Sequence, residues 1–179
     1  MVVIRTLRSC RPLCVMIAMN RISTLKITGE FDPYLQYAID KAPLDNILDK
    51  ECPENGILNL IPTLDRSLET KEERIIVWSR ILPESGTSIC PILMCEDDRD
   101  FYCLLIVVEI EVIENTVLWK RFGLDKSSPN NLSDVGTTVK WLDNSPSFMF
   151  EKTEYQLMIE SFKKQYDADE SELHKKGYT

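Results

Sequence analysis

The chain is poor in the residues that most chemistry requires. Its 179 residues include one histidine, His174, inside a charged C-terminal stretch. Histidine is the usual general base near neutral pH and the commonest metal ligand, so Ser-His-Asp and Cys-His nucleophilic systems and most zinc enzymes lose their usual basis. Glycine is equally scarce: Gly29, Gly56, Gly86, Gly123, Gly136 and Gly177 are scattered, and no phosphate-cradling or dinucleotide-binding glycine motif is present. The longest strongly apolar run, Phe101 to Val108, falls far short of the roughly twenty residues that a membrane-spanning helix needs. Six cysteines occur, Cys10, Cys14, Cys52, Cys90, Cys95 and Cys103, but no C-x-x-C pair, so a zinc ribbon is not expected. Cys90, Cys95 and Cys103 fall in apolar segments and read as small hydrophobes in a reducing cytoplasm.

Acidic residues are also missing from one end. Before Glu30 there are five bases and no acid, whereas from Glu30 onward 29 acids face 16 bases. The acidic body is therefore the expected folding unit. Arg5, Arg8 and Arg11, followed by Leu13 to Met19, imitate a secretory signal, but Pro12 interrupts them and no small-residue cleavage site follows. Residues 1–19 are read either as a basic extension or as a start-site artefact, with initiation at Met19 in the second case. Intact mass of protein from the native locus distinguishes the two. Residues 20–166 form the expected domain, and 167–179 a charged, frayed tail.

Within the body, patterning predicts α+β architecture: a single domain with an antiparallel meander, on which a C-terminal amphipathic helix and a short N-terminal helix pack. Ile22, Leu25 and Ile27 suggest a strand. Asp32-Pro33 resembles a helix start, with a helix to Lys41 and a further turn at Leu44, Ile47 and Leu48. Ile57 to Ile61 reads as a strand halted by Pro62. Ile75 to Trp78 favours a strand, although a helix from Ser67 competes. Three apolar runs between Thr87 and Phe122 read as the meander, with Glu114 and Asn115 in a tight turn. That turn places Ile110 opposite Trp119 and Glu109 opposite Lys120, with Val108, Ile110, Val112, Val117 and Trp119 on a core-facing side. Phe101 to Val108, apolar on both sides, should be a covered central strand. Gly123 to Gly136 reads as a long loop leading to a strand at Thr137 to Leu142, followed by a Phe148 to Phe150 strand. Thr153 and Gln156 fit a capping box, and Tyr155, Met158, Ile159, Phe162 and Tyr166 form one helical stripe.

These features favour binding over catalysis. An acidic body steers toward basic proteins and away from nucleic acid and anionic membranes. The expectation is a non-catalytic interaction protein that binds a basic partner, with a toxin-immunity inhibitor as its most concrete form. Candidate contacts are Glu96, Asp97, Asp98 and Asp100 on one turn, with Glu109 and Glu111 nearby. No cofactor, metal or catalytic residue is assigned. The alternative is a small-molecule binder or two-carboxylate hydrolase with a pocket between helices and sheet, lined by Trp119, Trp141 and Tyr155. Glu109 and Glu111, roughly 7 Å apart on one side of a strand, could divide acid and base roles. Their pairing with Lys120 is the plainer explanation.

Overall fold

The computed structural model describes residues 19–28, 33–65, 68, 70–128 and 131–175, with side chains as far as 168. The basic stretch 1–18 and the Asp32 cap therefore lie outside the described residues. Near the start of the described residues, the Asn20 backbone N–H donates to the Met149 carbonyl at 2.7 Å and its side-chain amide donates to Asp40 at 2.7 Å.

Strand β1 (Ile22–Thr28) pairs antiparallel with β2 (Pro33–Ile39), from Ile22 opposite Ile39 to Thr28 opposite Pro33. The helix expected over Pro33 to Lys41 is thus a strand. Tyr34, Gln36, Tyr37, Ala38 and Ile39 are all buried. A strand covered on both faces loses its alternation, and its apolar positions then mimic helical spacing. Proline is tolerated as the first residue of such a strand. Asp40 and Lys41 both take positive φ, 50° and 74°, and turn the chain into β3 (Ala42–Pro43). The short N-terminal helix follows as α1 (Leu44–Glu51), with Leu44 and Leu48 buried.

The larger sheet has the order β4 (Ile61–Pro62), β5 (Gly86–Met94), β6 (Leu105–Ile113), β7 (Thr116–Asp125) and β8 (Val139–Trp141). β9 (Phe148–Glu151) pairs with β7 at Thr116 to Trp119, so it shares with β8 the edge of β7 that faces away from β6. Of the expected 57–61 strand only Ile61 joins the sheet, at its edge and together with Pro62, because Asn59 turns the chain with φ of 66°.

Ile75 to Trp78 lies in helix α2 (Lys71–Arg80) rather than in a strand. A capping box decides it. Thr70 Oγ1 accepts from the Glu73 N–H at 3.2 Å, and Glu73 Oε2 accepts from the Thr70 N–H at 3.1 Å. The final helix, α3 (Lys152–Lys175), starts one residue before the expected Thr153 cap and runs well past Tyr166. Tyr155, Met158 and Phe162 bury its stripe against the rest of the protein.

The meander has the expected turn at Glu114 and Asn115, and Ile110 lies opposite Trp119. Past that point the register departs by one residue. Glu109 pairs with Arg121, and Lys120 is the extra residue of a β-bulge. The bulge resets the in-out alternation, so Trp119 and Phe122 both enter the core while Lys120 and Arg121 both stay outside. Gly123 then lets β8 approach closely: a Cβ there would lie 2.9 Å from both the Lys140 carbonyl oxygen and the Trp141 ring.

Both sheets and the helices feed one hydrophobic cluster, with Tyr37, Trp119, Phe122, Phe150, Tyr155 and Phe162 among its buried aromatics. The segment 131–138 packs against the large sheet, where Gly136 sits against the Ile89 side chain. Arg80 ties it down by donating to the Val135 carbonyl at 2.6 Å, and Asp125 accepts from the Gly136 N–H at 3.2 Å.

Among the described residues, Tyr37 alone has a buried side-chain polar atom, its hydroxyl, without a hydrogen-bond partner. A buried unsatisfied hydroxyl is a net cost. Tyr37→Phe is therefore expected to raise stability, by about 0.5–1 kcal/mol in urea unfolding. A loss of stability would show instead that the hydroxyl is satisfied in solution.

Candidate functional site

The connection between β5 and β6, residues 95–104, carries four acids against one base, Arg99. Its two ends are held by the sheet, since Met94 pairs with Leu105. Its interior is held from α2. The fully buried Glu73 uses Oε1 to accept from the Phe101 N–H at 3.0 Å, while its other oxygen caps the helix. The Arg99 N–H reaches the Cys95 carbonyl at 3.1 Å, Arg99 Nε reaches the Glu96 carbonyl at 3.0 Å, and the Tyr102 N–H reaches Asp100 Oδ1 at 2.8 Å. These bonds take the backbone away from strand geometry, so β6 begins at Leu105 and not at Phe101 as the apolar run suggested.

Two consequences follow for side chains. Phe101 is buried, and Tyr102 is turned outward with 56% of its surface exposed. Asp97 and Asp98 are exposed on the same turn, and Glu96 and Asp100 half-buried. Cys95, Asp98 and Cys103 converge, with one ligand-type atom from each lying within 4.8 Å of the others. The exposed Cys103 does not behave as a core hydrophobe, whereas Cys90, fully buried in β5, does. The hydrogen bond to Asp98, together with partial burial, raises the Cys103 thiol to about 11. A thiol so protonated is a poor nucleophile at neutral pH.

Glu109 and Glu111 behave differently from the acids of the connection. Glu109 is buried and bonded by both Lys120, at 2.9 Å, and Arg121, while Lys120 also reaches Glu111 at 3.5 Å. The Arg121 guanidinium in turn lies 3.9 Å over the centre of the Trp141 ring. Burial raises the Glu109 pKa, but the Lys120 and Arg121 hydrogen bonds outweigh it and leave the group below its ordinary 4.5. A general acid needs the opposite shift, so Glu109 is not tuned for that role.

Trp119 and Tyr155 are core residues with no exposed surface. A cavity of about 410 Å³ lies elsewhere, between α2 and α3. Ile75, Trp78 and Tyr166 give it apolar walls, and Lys71, Arg74 and Lys163 surround it with positive charge alongside Asp167. A polar cavity of about 210 Å³ opens beside Tyr102 and Cys103, with Ser127 and Asn131 opposite. A third, of about 190 Å³, holds Tyr34, Asp45 and Asn59. There the buried Asp45 carboxylate accepts from Gln36 Nε2 at 3.2 Å and from the Asn59 N–H at 3.1 Å, which ties α1 to β2 and to the 57–60 turn. Burial raises the Asp45 pKa, and burial with the charge of Asp45 brings Tyr34 up to about 12.

Of the residues singled out from sequence, the structure brings Glu96, Asp97, Asp98 and Asp100 together on one connection. It sets Glu109 and Glu111 in a neutralised cluster, and puts Trp119 and Tyr155 in the core apart from Trp141. Tyr102, the Cys95–Cys103 approach and the cationic cavity are visible only in the fold. No family model, curated protein or solved structure matches the chain.

The Glu109 cluster has a definite pH signature. Because its folded pKa is lowered, its stabilisation is complete above the ordinary 4.5 and is lost as pH falls through the folded value. Lys120 and Arg121 are both substantially exposed, so the expected cost of Glu109→Gln lies between those of surface and buried pairs, about 1–2 kcal/mol at neutral pH. Urea unfolding should show that difference shrinking as pH falls below 4.5 and through the lowered folded value. A difference independent of pH would mean that the cluster contributes through packing alone.

Proposed function

We propose that this is a non-catalytic protein-binding domain that presents its β5–β6 connection to a basic partner. Blocking a cationic enzyme, as the immunity protein of a toxin pair does, is the most concrete form of this reading. The observation that carries it is the exposed Tyr102 set among Asp97, Asp98 and Asp100 on a connection braced from beneath by Glu73. Binding energy concentrates on aromatic anchors, where truncation commonly costs 2 kcal/mol or more. Surrounding charges act chiefly on association rate and partner choice. An exposed aromatic on a predominantly acidic turn combines both. Glu109 and Glu111 leave the contact set, since their charge is already answered by Lys120 and Arg121.

The alternative, a small-molecule binder, moves from the sheet to the α2–α3 cavity. An anion with an apolar body suits those walls.

The two readings separate in one experiment. Bait spanning residues 19–179, incubated with native-host lysate at low salt and eluted with raised salt, is expected to recover a specific basic protein. Tyr102→Ala should abolish recovery, and Asp97→Asn with Asp100→Asn should weaken it in a salt-dependent manner. Recovery that ignores all three substitutions, or no recovery with wild-type bait, would overturn the partner reading and leave the cavity as the site to pursue.

A further inference from the structure

We propose that Cys95, Asp98 and Cys103 form a binding site for a thiophilic divalent cation, with zinc as the ion that the donor set fits. The inference goes beyond partner binding and does not depend on it.

The convergence is built by the sheet. Cys95 follows the last residue of β5 directly, and Cys103 stands two residues before β6, so the Met94–Leu105 pairing draws the two thiols together across the connection. Asp98 comes from the intervening turn, where Arg99 takes φ of 53° and its N–H closes back on the Cys95 carbonyl. Glu73 holds the returning leg at Phe101. The three donors are thus placed by bonds outside themselves.

Distance and donor chemistry agree. Tetrahedral ligation with Zn–S near 2.3 Å sets two sulfurs about 3.8 Å apart. All three donor atoms already lie within 4.8 Å of one another, so closing on an ion requires movements of about 1 Å or less. Two thiolates disfavour magnesium and calcium, which take oxygen ligands, and select a softer ion. The carboxylate shifts the preference from copper(I) toward zinc. Asp98 and Cys103 are exposed, so an ion can enter from solvent, and three protein donors leave a fourth position to water. A polar cavity of about 210 Å³ lies beside Cys103. A metal held here would stiffen the segment that displays Tyr102.

Cobalt(II) is the probe. Full-length protein, reduced and freed of metal, is expected to take up one equivalent, with thiolate-to-cobalt charge transfer in the near ultraviolet and strong tetrahedral bands in the visible, both erased by zinc. Cys95→Ser and Cys103→Ser should each remove the charge-transfer band. Asp98→Asn should weaken binding by at least about tenfold, since even partners behind a ligand cost that much. Cys10→Ser with Cys14→Ser should leave the spectrum unchanged. Far-ultraviolet circular dichroism of each variant checks the fold. Absence of the band, its survival in the Cys95→Ser/Cys103→Ser double variant, or an air-formed Cys95–Cys103 disulfide in a chain whose reduced form takes up no metal would each overturn the proposal. Because uptake is read on the free protein, its failure leaves the partner reading standing, and failure of capture leaves the metal site standing.

Discussion

The fold turns on the Trp119 indole. Its N–H donates to the Tyr155 hydroxyl at 3.2 Å, and that hydroxyl donates to the Ile81 carbonyl at 2.8 Å, so one short relay joins β7, α3 and the end of α2. The ring meets Tyr37, Phe122, Phe150 and Tyr155 edge-on, with centroids 5.2–6.0 Å away. Burying an aromatic of this size is worth about 4–6 kcal/mol in transfer free energy, more than any ion pair on the surface. With Trp119 fixed inward and Phe122 needed in the same core, strict alternation along β7 fails. The bulge at Lys120 is the solution, and it delivers two cations to Glu109 as a by-product. Both the outer charge cluster and the inner aromatic cluster therefore descend from one two-residue step in W-K-R-F.

That step was not read from the sequence, where simple alternation gives Glu109 a single partner, although two adjacent polar residues between aromatics in a strand are the mark of a bulge. The meander itself could be read because β6 and β7 alternate cleanly near their turn, where register depends on turn geometry and local polarity. The 33–39 segment could not, because its strand is covered on both sides and its pattern carries no period-two signal. The segment 71–80 was misleading for the opposite reason. Its β-branched run favours extension, and the reciprocal Thr70–Glu73 cap overrides that preference. Thr70 and Glu73 do stand at capping-box spacing in the sequence, three residues apart.

The candidate site was half legible. The acidic turn at Glu96 to Asp100 stands out in any charge profile, but the profile treats all acids alike. Folding sorts them: Glu73 becomes a buried brace, Asp45 a buried tie, Glu109 a neutralised partner, and Asp97 and Asp98 face solvent. Tyr102 and Cys103 sit in what sequence shows as a continuous apolar run. Only the Glu73 and Asp100 hydrogen bonds, which bend the backbone before β6, turn them outward. Proximity of Cys95 and Cys103 is likewise a property of strand pairing rather than of spacing.

A rigid core and a braced, outward-turned acidic connection together define the account, and the decisive measurement reports from the tip of that connection. Tyr102 replaced by a photo-crosslinking phenylalanine analogue, in cells that naturally make the protein, should capture a basic protein on irradiation. The same analogue at Leu157, equally exposed on α3, should not. Crosslinks of equal yield from both positions, or from Leu157 alone, would contradict the assignment of this connection as the binding surface.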